Sequence, residues 1–130
     1  MPGQPIIAPS QAERADQSQR MAADGVSFAI HEWKGSGPPQ LHVHHEDDEA
    51  WHVLEGGLRF RFADQTIDVN AGSTVFVPAG VAHTYVSLPD ARYLVVLTPR
   101  LRELIAELSS AADRSGDDEI YRRHRSELLE

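Results

Sequence analysis

Through the middle of the chain, apolar and polar residues alternate. Leu58, Phe60 and Phe62 are interleaved with Arg59 and Arg61, and Ile67 and Val69 with Asp68 and Asn70. A period of two is the signature of a half-buried β-strand. The same reading predicts strands over residues 26–33, 41–45, 49–54, 83–88 and 93–97, and a buried strand over 74–77. The stretches between them carry turn chemistry: Lys34-Gly35-Ser36-Gly37-Pro38-Pro39, Gly56-Gly57, Ala63-Asp64-Gln65 and Ala71-Gly72. Short strands at near-regular spacing, with no strand–helix alternation, predict an all-β antiparallel barrel or sandwich.

Both ends depart from this pattern. Residues 1–25 are polar and interrupted by Pro2, Pro5 and Pro9, so they are expected to form an arm that is at least partly mobile. Residues 5–8 could form a short edge strand, and residues 11–23 are either helix-prone or mobile. Residues 26–98 are then the barrel. Beyond it, Thr98 is a suitable cap and Pro99 a suitable first helical residue. Leu101, Leu104, Ile105 and Leu108 follow at helical spacing. Ser115 with Asp118 resembles a capping box, and Ile120, Tyr121, His124 and Leu128 form a second apolar stripe. Residues 99–130 are therefore expected to be a C-terminal helical tail, packed on the barrel or on a second subunit.

Composition narrows the function. The 130 residues suit one domain, and a formal net charge of -8 opposes a nucleic-acid partner. No basic stripe suggests a membrane surface. Without cysteine, neither a disulfide framework nor a thiolate metal site can form. The first residues lack the pattern of a secretory signal, so a cytoplasmic location is expected.

The chemistry gathers at four residues. His42 and His44 are two apart, so on a strand both imidazoles share one face. Glu49 follows an acidic loop, Glu46-Asp47-Asp48, and His83 follows Pro78-Ala79-Gly80. If their strands pair, three imidazoles and one carboxylate converge inside the barrel, a suitable donor set for a divalent first-row metal. His45 should point away from this group, His31 and His52 should sit outward or at the rim, and His124 should be structural. Trp51 shares the parity of Glu49 and Tyr85 that of His83, which turns both inward. Trp33, ending an early strand, should stand at the mouth. Arg59 and Arg61 are expected to be solvated.

These stretches resemble the two motifs of the cupin superfamily, and specifically its small single-domain, cupin-2-like members. Gly37, His42-Val43-His44, Glu49 and Gly56 match the first motif, with the first glycine one residue closer than usual. Gly72, Pro78, Gly80 and His83 match the second, with Ser87 where asparagine is usual. The resemblance implies a jelly-roll barrel holding one metal ion through His42, His44, Glu49 and His83. Iron, manganese, nickel, cobalt, copper and zinc all suit these donors.

Three functions follow from the resemblance. One is a metal-dependent dioxygenase acting on a small organic substrate. The second is a non-redox metal-dependent isomerase or lyase. The third is a ligand-binding or sensing module without turnover. An enzyme of the first kind is preferred narrowly, with Trp51, Tyr85 and Trp33 lining the substrate pocket and Tyr85 the one candidate for proton transfer. The partners expected are a small molecule and a second copy of the chain, the latter because the leucine stripe after residue 100 needs cover.

Overall fold

A computed structural model describes residues 3–9 and 20–130. Ten strands, in two five-stranded antiparallel sheets, and two helices make up the described chain. They are β1 (Ala22–Asp24), β2 (Ala29–Trp33), β3 (His42–His44), β4 (Glu49–Glu55), β5 (Gly57–Phe62), β6 (Thr66–Asn70), β7 (Thr74–Val77), β8 (His83–Ser87), β9 (Arg92–Leu97), α1 (Pro99–Ser110), α2 (Asp117–Arg123) and β10 (Ser126–Leu128). One sheet runs β1-β2-β9-β4-β7 and the other β10-β3-β8-β5-β6. Successive strands thus fall in different sheets for much of the chain, the double-stranded arrangement of a jelly roll.

The inward positions of both sheets build one core. Trp51 and Val53 of β4, Tyr93, Val95 and Leu97 of β9, Leu58 and Phe60 of β5 and Tyr85 of β8 are all buried. Their alternation follows the strand period. Trp51, Phe60 and Tyr85 form an aromatic triangle with ring centroids 5.0 to 5.5 Å apart. Arg59 and Arg61 point outward, as expected, and pair with Asp68 and Glu130.

Several expectations are corrected. Residues 5–8 form no strand, and Ile6 and Ile7 are exposed. The arm predicted over 11–23 falls largely on residues outside those described, but its last part belongs to β1, which pairs with β2. The strand expected over 26–33 begins only at Ala29. Gly25 donates its N–H to the Phe28 carbonyl at 2.9 Å, closing a hairpin turn that leaves Val26 in solvent. The buried strand expected over 74–77 is an edge strand that among the described residues pairs only with β4, and Phe76 faces outward and is exposed.

The tail is helical only in part. Thr98 caps α1 by accepting from the Leu101 N–H, and Pro99 occupies its first turn. No capping box starts α2: its cap is Gly116, and Ser115 instead bonds Asp113. The chain then leaves the helix at Arg125, whose φ is 58°, and adds β10 to the edge of β3. The leucine stripe finds its cover within the chain: Leu101, Leu104 and Leu108 are buried in the same core as the barrel residues.

Candidate metal centre and ligand cavity

Register explains how the four residues meet. His42 and His83 are directly opposed on β3 and β8, which places their side chains on one face. His44, two residues on, shares that face. Glu49 opens β4 in the facing sheet. The three imidazoles offer ligand atoms within 4.8 Å of one another. Glu49 Oε1 lies 3.3 Å from His44 Nε2 and 3.2 Å from His83 Nε2. All four side chains are buried, His83 at 1% exposure.

The other nitrogen of each ring is occupied. His42 Nδ1 bonds the Gln40 carbonyl at 3.0 Å and His83 Nδ1 the Val81 carbonyl at 2.9 Å. A carbonyl only accepts, so both Nδ1 atoms carry the proton. His44 Nδ1 lies 2.7 Å from Ser126 Oγ, whose own proton goes to the His124 carbonyl at 3.2 Å. His44 Nδ1 therefore donates as well. With every Nδ1 protonated, a neutral ring at any of the three positions turns an unprotonated Nε2 toward the carboxylate and the other rings. Lone pairs so arranged repel until a cation stands between them. The donor set fits a divalent ion, and the outer bonds fix ring orientation as metal sites require.

Electrostatics agree with this geometry. Burial, with His83 and His44 alongside, lowers His42 to about 4, so it stays neutral and able to coordinate. Burial works to raise Glu49, but where a proton and not a metal ion stands on Nε2 of His44 or His83, hydrogen bonds from these rings outweigh burial and bring the carboxyl to about 2. The loop over Glu46-Asp47-Asp48 is also tied down. Asp48 accepts from the Ala79 N–H at 2.9 Å, and Gly80, with φ of 91°, donates to the His44 carbonyl at 2.8 Å. Both bonds hold the turn that delivers His83.

A cavity of about 500 Å³ opens from this cluster, between the barrel and the tail. Trp33, Trp51, Tyr85, Tyr93, Tyr121 and the leucines of α1 line it. Gly37 lets the loop before β3 press on Tyr85, since a Cβ there would lie 2.5 Å from its ring. Tyr93 donates to the Gly35 carbonyl, so the Tyr85 hydroxyl, 2.8 Å away, donates to the Tyr93 oxygen. Burial first, and Tyr93 second, raise Tyr85 well above the ordinary phenol range. Tyr85 is thus set as a hydrogen-bonded wall and not as a base at neutral pH. The Trp51 indole N–H is buried and has no hydrogen-bond partner among the described residues.

The remaining histidines lie away from the centre. His45 is exposed beside Glu127, His31 bonds Asp24, His52 bonds Thr74, and His124 bonds Glu107. Sequence reasoning missed Ser126, Tyr121 and Asp117 as site residues. Tyr121 did carry a signal, its place in an apolar stripe, and its ring sits 5.6 Å from that of His42. Ser126 carried none, because its place opposite His44 depends on a strand pairing across 82 residues.

Comparison with known proteins agrees with the fold. The family model for the cupin domain matches residues 29–97. An uncharacterized protein of Streptomyces coelicolor is 41% identical over 56 residues, which are 42% of this chain and 53% of that protein; the chain thus spans about half the length of this curated relative. Among solved structures, a cupin-2 domain protein of Shewanella frigidimarina matches with a TM-score of 0.52 at 22% identity, covering 67% of this chain and 86% of that one. A cupin protein of Bacteroides fragilis matches with a TM-score of 0.53 at 16% identity, covering 71% and 86%. Two facing antiparallel sheets, both histidine motifs and a family match across the barrel make this chain a member of the cupin family.

Proposed function

We propose that the protein is a mononuclear metal-dependent enzyme that acts on a small organic molecule held in the cavity beside the histidines. The observation that carries this reading is the set of three Nδ1-anchored imidazoles facing one buried carboxylate, of which His42, His44 and Glu49 reach the wall of that cavity. His42, His44, Glu49 and His83 would hold one divalent transition-metal ion. Four protein donors would leave a six-coordinate ion able to take a further ligand. Such an ion supplies Lewis-acid or redox activation of whatever occupies those positions.

The chain's own residues then bind and orient. Trp33, Trp51 and Tyr121 offer flat apolar faces to a ring or chain, and the α1 leucines keep water from it. A dioxygenase-like reaction is favoured over an isomerase or lyase by one observation. The candidate base Tyr85 keeps its proton, held in its bond to Tyr93, so proton abstraction has no ready acceptor there.

Metal content and spectrum of protein purified without chelator test the reading. A redox-active ion near one per chain, with dioxygen uptake on adding an organic substrate, is the expected result. Zinc would move the assignment to the non-redox alternative. Absence of metal binding under any loading condition would reduce the protein to a ligand-binding or sensing module.

A further inference from the structure

One aromatic wall of the cavity comes from the tail and not from the barrel. Tyr121 belongs to α2, beyond residues 29–97 that the family model matches. It is 2% exposed, lines the cavity, and sets its ring 5.6 Å from that of His42 at 64°. The chain has three tyrosines, and the other two are bonded: Tyr85 to Tyr93, and Tyr93 to the Gly35 carbonyl. The Tyr121 hydroxyl has no hydrogen-bond partner among the described residues. Unlike the Trp51 indole nitrogen it is not sealed in the core, and it keeps accessible surface. A buried tyrosine ordinarily finds its hydroxyl a partner. Burial first, and then the Asp117 and Glu49 carboxylates of the same cavity, hold the phenol above its ordinary range. The oxygen therefore keeps its proton and has a hydrogen bond to give.

We propose that the Tyr121 hydroxyl is a ligand-binding donor, which gives its hydrogen bond to an oxygen of the organic molecule seated at the histidine end of the cavity. The inference rests on the metal reading above and names the ligand class: an apolar body with two oxygens on adjacent atoms, as in a hydroxamate, a 2-oxo acid or a 2-hydroxy ketone. Such a head offers lone pairs both to a metal ion and to the phenol. A head that attaches through nitrogen and presents only N–H groups leaves the phenol unmatched. A site built to hydrogen-bond its ligand discriminates in this way more sharply than an apolar wall does. Leu104, Ile105 and Leu108 line the same cavity and take the apolar body.

The test uses the full chain loaded with cobalt(II), whose visible absorption reports a ligand entering its coordination shell. The probes are benzohydroxamate and 4-phenylimidazole. Both carry a phenyl ring, but the first binds a divalent ion through oxygen. The second binds through nitrogen, and its remaining nitrogen carries a proton and accepts nothing. Tyr121→Phe deletes the hydroxyl alone. It should weaken benzohydroxamate about ten- to hundredfold, the range of a hydrogen bond to a charged group. It should leave 4-phenylimidazole affinity and cobalt content unchanged. The melting temperature without probe should be equal or higher, since no described residue loses a partner. Unchanged benzohydroxamate affinity, equal weakening of both probes, or a melting temperature lowered by several degrees overturns the proposal. Cobalt-loaded protein with any of these results keeps the metal reading and loses this one. Protein that takes up no cobalt loses both.

Discussion

At the scale of single residues, the site is a set of imidazoles whose free nitrogen is chosen by what the other nitrogen bonds. This makes Ser126 a positioning residue, for among the described residues it alone accepts from His44 Nδ1. Ser126→Ala should weaken metal affinity about 10- to 100-fold, as loss of an outer partner does elsewhere. His44→Ala should go further and remove most bound metal, because it deletes one of the donors themselves. Competition with a fluorescent chelator measures both. A Ser126→Ala protein of unchanged affinity would show that His44 is oriented by packing alone. Full metal occupancy in a folded His44→Ala protein would remove the centre from this cluster.

At the scale of elements, the cavity is made where the barrel meets α1, so the cap that starts α1 affects the site. Thr98→Ala should cost about 1 kcal/mol of stability, read from urea unfolding, by leaving the Leu101 N–H without its acceptor. Gly56→Ala should cost more. Gly56 has a φ of 64°, and a Cβ there would lie 2.6 Å from the Pro89 carbonyl oxygen. These elements also show how far a sequence can be read. Period-two alternation located β5 and β6, and a Thr-Pro start located α1, because both signals are local. His42, His44 and His83 were found because strand parity and turn glycines carry them. β10 was not found: Leu128 continued a helical spacing, and only the left-handed turn at Arg125 and the open edge of β3 make it a strand. The exposure of Phe76 was missed for a related reason, since no local pattern says that β7 has a neighbour on one side only.

At the scale of the whole molecule, the leucines that suggested a second subunit are buried within one chain, so a homodimer now lacks that support and sedimentation at micromolar concentration decides it. The response of the fold to acid is better determined. In the metal-free protein His42 titrates at about 4, below its ordinary 6.5, because burial opposes its charge. An unfolded chain takes up that proton as pH falls through 6.5, while the folded chain refuses it until about 4. Stability therefore declines across that window as pH falls. Glu49, brought down to about 2 from 4.5, adds a second loss as pH falls through that lower window, because the unfolded chain protonates it first. Chelator-treated protein should accordingly melt at progressively lower temperature between pH 7 and pH 4. Other carboxylates contribute to such a trend, so the decisive comparison is with His42→Gln, which cannot take the proton in either state. The difference in melting temperature between wild type and variant should shift against the wild type as pH falls from 6.5 to 4. A difference that stays constant over that range would mean that His42 is not held neutral by the barrel, and the account of why the site presents a free Nε2 would have to change with it.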